Sequence, residues 1–144
     1  MAVRADPVRY EVIDHTADLG IRVFGENPSD LFANAGRVLF EQITETETLA
    51  GARTMSLEVD GADWADLLVN WLRELLFLWS GKRLLAKEIE VTNLSETHIS
   101  ARLRVDPFDP ERHPVNSEIK AVTYHQVEVT QGPDEWVATV IFDV

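Results

Sequence analysis

Two aspartates and the end of the chain offer the most direct material for chemistry. Asp143 and Val144 put a side-chain carboxylate, a backbone carbonyl and a terminal carboxylate within two residues. Hard cations such as Ca²⁺, Mg²⁺ or Mn²⁺ bind oxygen donors of this kind. A second carboxylate from elsewhere in the chain would complete a site of weak to moderate affinity, and Asp18 is the candidate for it. The bland alternative has Asp18 doing no more than stabilising its turn, with Asp143 a solvated tail residue. Together with His15 and His125, Asp18 also makes up the two-histidine, one-carboxylate set that holds mononuclear iron or manganese in some enzymes. Against that, His15 can bond within its own turn while His125 orients a carboxylate. Lys120, in an apolar strand, either snorkels to solvent or reaches an anion, whether Asp18, Asp143 or a partner's phosphate.

These residues need elements to position them. Residues 10–13 and 19–24 read as short strands, joined through the polar turn 14–18. Asn27, Pro28 and Asp30 give the N-cap, first-turn proline and first-turn acid of a helix start. In that helix Leu31, Ala35, Val38, Leu39 and Ile43 face the core, and Asn34, Arg37 and Glu41 face outward. Met55, Leu57 and Val59 alternate with polar residues as in a half-buried strand. Residues 63–80 form the longest helix, with Trp64, Trp71 and Trp79 on its core face and Gly81 as a left-handed stop. Strands follow around 89–91 and 99–105, joined as a hairpin through 93–97. The segment 106–117, DPFDPERHPVNS, holds three prolines and is expected to be an ordered loop. Two last strands run over about 119–129 and 135–142. The final one, WVATVIF, is apolar at nearly every position, which places it inside the sheet and holds Asp143 and Val144 where a terminus would normally fray. The expected architecture is α+β: one domain over 1–144, a two-layer sandwich in which two main helices cover one face of a largely antiparallel or mixed sheet.

Three motifs stand out along this framework: HTAD at 15–18, EIKAVTYH at 118–125 and FDV at 142–144. Their order and spacing, in a chain of this length, resemble the archease family over nearly the whole sequence. SDLFANAG also falls where that family has its first helix, although amphipathic text of this kind is weakly specific. The resemblance implies a divalent cation held by Asp18, by Asp143 and by the carbonyl of Val144, and all three positions match without departure. His15, Lys120 and His125 lie within the same motifs, as residues supporting the metal ligands or acting toward a partner. The resemblance further implies a non-catalytic accessory protein of an RtcB-type RNA ligase, which joins RNA ends through a GMP-linked histidine. Its role would be to promote ligase guanylylation and turnover in tRNA splicing or RNA repair.

Bulk properties fit such a role and exclude others. The chain has 144 residues, 45% of them hydrophobic, enough for one core without staples. Cysteine is absent, so thiol nucleophiles, disulfides and thiolate zinc sites are excluded. The 25 acidic and 13 basic residues give a net charge of −12, which repels phosphate backbones. RNA and GTP would therefore be met only through the ligase. The first twenty residues carry charges and no apolar run, and the most apolar stretch falls short of the ~20 residues of a membrane helix, so a cytoplasmic protein, expected to be a monomer, is the reading. No GxSxG, P-loop, GxGxxG or HExxH pattern occurs. The tryptophans read as core, not as a base-stacking platform, and His98 and His113 as surface residues without partners at metal-ligand spacing. Three classes of function remain: ligase accessory protein, small mononuclear metal enzyme built on His15, His125 and Asp18, and general protein-binding or chaperone-like module. The proline loop and the HTAD turn are the candidate docking face.

Overall fold

The elements form where capping and alternation mark them. A computed structural model describes residues 8–13 and 18–144. Its strands are β1 (Tyr10–Ile13), β2 (Asp18–Gly25), β3 (Arg53–Asp60), β4 (Leu84–Ser95), β5 (His98–Pro107), β6 (Ala121–Gln131) and β7 (Trp136–Asp143). The helices are α1 (Pro28–Ile43) and α2 (Trp64–Lys82), and a single 3₁₀ turn spans Thr46–Thr48. Both helices open with reciprocal caps. Asn27 accepts from the Asp30 N–H at 2.9 Å while the Asp30 carboxylate accepts from the Glu26 N–H at 2.9 Å. Asp63 accepts from the Asp66 N–H at 2.9 Å, and the Asp66 carboxylate accepts from the Ala62 N–H at 2.8 Å. Each arrangement satisfies amides that a helix start leaves without partners.

The end of α2 differs from expectation. Gly81 lies inside the helix, and the left-handed residue is Arg83, at φ 53°. The exposed Phe77 ring lies over Gly81, 2.4 Å from where a Cβ would stand. Arg83 accepts the less favourable backbone conformation with its guanidinium 4.4 Å from the Trp79 ring centroid, a cation–π contact that helps offset the cost.

The α+β class is as expected, and the strands divide into two antiparallel sheets, ordered β1-β2-β7-β6 and β3-β5-β4. Helix α1 packs on β2 and β4, and α2 on β6 and β3, so each helix touches both sheets. Between them lie Phe32, Phe40, Trp71 and Phe142, all essentially without solvent exposure. Burying an aromatic of this size stabilises the fold by roughly 2–3 kcal/mol. The Trp71 indole also donates to the Phe32 carbonyl at 2.9 Å, so its polar edge is not stranded. Asn34 is buried, contrary to its assignment to the outward face. Its amide donates to the Phe24 carbonyl at 2.9 Å and ties α1 to the end of β2.

The proline-rich segment is ordered, as expected, with Asp106 and His113 buried and residues 110–112 and 114–116 exposed. His113 is 4% exposed, which corrects its reading as a surface residue. Its Nδ1 accepts from the Asp109 N–H at 3.0 Å, and Phe108 meets Trp79 edge-on at 5.0 Å. Bonds from the Asn116 N–H to the Ile43 carbonyl and from the Thr44 hydroxyl to the Pro114 carbonyl, both 2.7 Å, fasten the segment to the end of α1. Among the described residues no helix is long and apolar enough to cross a membrane.

Candidate functional site

β7 lies between β2 and β6, and this inner position explains how the end of the chain can carry a site. Ile141 and Phe142 are buried beside two partner strands, so the next residue is held in register. Asp143 pairs with Asp18 of β2 on one side and with Ala121 of β6 on the other. The Lys120 N–H donates to the Asp143 carbonyl at 2.7 Å and closes the corner.

Directly opposed residues of antiparallel strands share a face, with Cβ atoms about 4.5–5.5 Å apart. Asp18 and Asp143 are thus two carboxylates presented on one face at one sheet end, Asp18 half-buried and Asp143 exposed. Like charges so placed repel, and a cation between them turns the repulsion into attraction. Val144, which the family resemblance implies as a carbonyl ligand, is an exposed residue next to Asp143. Two carboxylates and a carbonyl form a hard-oxygen donor set that fits Ca²⁺, Mg²⁺ or Mn²⁺. Among the described residues no three His, Asp or Glu side chains converge on one point.

The other motif residues are distributed unevenly. His15 and the rest of 14–17 lie outside the described residues. Lys120 adjoins the aspartates through its backbone, and its side chain is exposed. His125 sits in a wide irregularity of β6. The pairing jumps from Thr123 with Ile141 to Glu128 with Thr139, which leaves 124–127 opposite Val140 alone. Such an insertion bends a strand and re-aims its side chains, and Gln126 adopts a left-handed φ of 54° within it. His125 is exposed there. It is two strands away from Asp18 across the sheet, about 10 Å at ordinary strand spacing. The described residues do not bring it together with Asp18.

Tyr124, in the same irregularity, reaches α2. Its hydroxyl donates to Asp66 at 2.7 Å and contacts the Asn70 carbonyl oxygen at 3.3 Å. The Arg73 guanidinium lies 4.6 Å from its ring centroid and donates to the Val122 carbonyl at 3.1 Å. The Ala62 amide and then the Tyr124 hydroxyl hold the Asp66 carboxyl below the usual range, and the bond to Asp66 raises the Tyr124 phenol. The sequence pattern missed this cluster. Its one signal was the polar stripe of Asp66, Asn70 and Arg73 on an otherwise apolar helix.

The sequence model of the Archease protein family matches residues 10–144. Protein archease of Methanopyrus kandleri is 35% identical over 138 residues, covering 94% of this chain and 99% of that protein. Protein archease of Methanosarcina barkeri is 34% identical over 140 residues, covering 94% and 96%. Among solved structures, the solution structure of Methanobacterium thermoautotrophicum protein 1598 superposes with a TM-score of 0.80 at 29% identity, covering 94% of this chain and 98% of that one. A Thermotoga maritima archease, described as a possible chaperone, has a TM-score of 0.64 at 18% identity, covering 93% and 96%, and supports the fold alone.

Proposed function

This chain belongs to the archease family, and from that premise we propose that it activates an RtcB-type RNA ligase without being an enzyme itself. It acts as a cytoplasmic monomer that promotes ligase guanylylation and multiple turnover in tRNA splicing or RNA repair. The observation that carries the reading is the pairing of Asp18 with Asp143 across β2 and β7. Two opposed carboxylates at the rim of a rigid sheet make a presentable cation site. Asp18, Asp143 and the Val144 carbonyl hold a divalent cation, with Lys120 and His125 acting beside them toward the partner. Guanylylation requires charge neutralisation around a triphosphate, and the bound cation supplies it when this rim is docked near the ligase active site. The net charge of −12 keeps the protein off RNA, so RNA and GTP are handled by the ligase.

The test is multiple-turnover ligation by the RtcB-type ligase of the same organism with GTP and Mn²⁺. Wild type, Asp18→Ala and Asp143→Ala are compared with no addition. Wild type is expected to accelerate guanylylation, while either folded variant loses the effect by tenfold or more. Equal stimulation by all three proteins would remove the acidic pair from the mechanism, and no stimulation by any would remove the ligase. A chaperone-like reading predicts suppression of client aggregation that survives both substitutions.

A further inference from the structure

The outer stripe of α2 carries aromatic surface that the core does not use. Asp66, Asn70, Arg73 and Phe77 follow one another at helical-neighbour spacing along α2. Phe77 is 52% exposed, and Tyr124, which lies against this stripe from the β6 irregularity, is 47% exposed. The Tyr124 ring is held in place by its bond to Asp66 and its stacking on Arg73. The Phe77 ring rests over Gly81, where a Cβ would clash. Aromatic and arginine side chains held in place before binding lose little conformational freedom on docking, and such groups dominate interface energetics. In the proline-rich segment Phe108 packs on Trp79 and His113 is buried, which leaves Val115 as its exposed apolar residue.

The surroundings of the stripe select its occupant. Glu74 borders a shallow cleft of about 370 Å³ beside Asn70 and Arg73, whose other wall carries Glu58 and Asp60, the carboxylates that His98 contacts, on a chain whose net charge is −12. We propose that the Tyr124–Phe77 stripe of α2 is the surface that docks this protein onto its partner, and that the occupant is a basic protein segment. This rests on the ligase-activator reading: a ligase that grips RNA must itself present basic surface. Tyr124 stands three residues along β6 from Ala121, the register partner of Asp143. Docking at the stripe therefore fixes where the acidic rim meets the ligase.

The experiment measures ligase binding by interferometry and ligation at rising concentrations of this protein, using wild type, Phe77→Ser, Tyr124→Ser, Glu74→Lys and Asp143→Asn. Phe77→Ser is the decisive variant, because the ring is surface-exposed and its loss leaves the core intact; thermal melts verify the fold of every variant. Phe77→Ser and Tyr124→Ser are expected to raise Kd at least tenfold, with full stimulation recovered at saturation. Glu74→Lys should weaken binding and flatten its salt dependence. Asp143→Asn should bind like wild type and fail to stimulate even at saturation. Stripe variants that bind within twofold of wild type would overturn the docking surface and leave the activator reading standing. A wild type that neither binds nor stimulates the ligase would overturn both.

Discussion

Two aspartates sit at the ends of inner strands, one in each sheet, and they have opposite fates. Asp106 closes β5 and is 6% exposed. Its carboxylate accepts three successive backbone amides, from Ala50 at 2.9 Å, Gly51 at 2.8 Å and Ala52 at 3.0 Å. Gly51, at φ 69°, supplies the left-handed turn that points them at one place. Lys87 and Arg104 hold the Leu49 and Gly51 carbonyls of the same segment. Asp143 closes β7, is exposed, and faces another carboxylate. A carboxylate saturated by its own backbone is structural, whereas one aimed at a like charge on a rigid rim is positioned for something from outside.

The contrast breaks most visibly at Asp106. Asp106→Ala leaves three amides without their acceptor and is expected to cost about 2–4 kcal/mol, read as a lowered denaturant midpoint. Burial pushes this carboxyl upward, but the three amides and His113 outweigh it and hold it below the ordinary carboxylate range. A depressed folded pKa contributes stability above the unfolded value and loses it as pH falls through the folded one. Acid unfolding of the wild type should therefore include a component at low pH that Asp106→Ala lacks. An unchanged acid limb in the variant would take Asp106 out of that role.

At the other aspartate the expected result is conditional on the ion. With Ca²⁺, Mg²⁺ or Mn²⁺ at a hundred times its dissociation constant, the wild type should gain about 2.7 kcal/mol. Asp143→Asn should gain almost none. Without the cation the order reverses, because Asp143→Asn relieves a like-charge pair and is expected to be neutral or stabilising by up to about 1 kcal/mol. Thermal melts with cation and with chelator measure both. A variant destabilised equally in the two conditions would make Asp143 structural, like Asp106.

The sequence separated these two regions only partly, for physical reasons. Local signals were legible. Asn27, Pro28 and Asp63 marked the helix starts, and the apolar run of WVATVIF placed β7 inside its sheet, so the opposition of Asp18 and Asp143 followed a correct expectation of where the chain end lies. Features that depend on partners distant in sequence were not. Asp106 lies in a proline-rich stretch, and its meaning comes from amides more than fifty residues earlier. The division of the strands into two sheets depends on both helices touching both sheets, which no single periodicity encodes. The insertion in β6 interrupts what reads as one strand, and α2 runs through Gly81 to a left-handed Arg83.

The smallest expected effect lies on the three-stranded sheet at His98, read from the sequence as a surface residue without partners at metal-ligand spacing. It has two carboxylates. Its Nδ1 stands 2.6 Å from Asp60 and its Nε2 stands 3.2 Å from Glu58 and 3.0 Å from the Ser100 hydroxyl. Because the carboxylates lie at opposite edges of the ring, they cannot share one metal ion with it, but both can accept from a protonated imidazole. The bond to Asp60, with the nearby charge of Asp60 and Glu58, raises the imidazole above its ordinary value. A raised folded pKa contributes stability fully below the unfolded value, about 6.5, and loses it as pH rises through the folded one. The pair is solvent-exposed, so the change in melting temperature should be slight and the ring's NMR titration is the sharper measurement. Its midpoint should lie above that of an ordinary histidine and fall on Asp60→Asn. An unmoved midpoint would mean that water screens the contact completely. In that case, ionic pairing on this sheet would contribute nothing to the contrast with the opposed aspartates of the other.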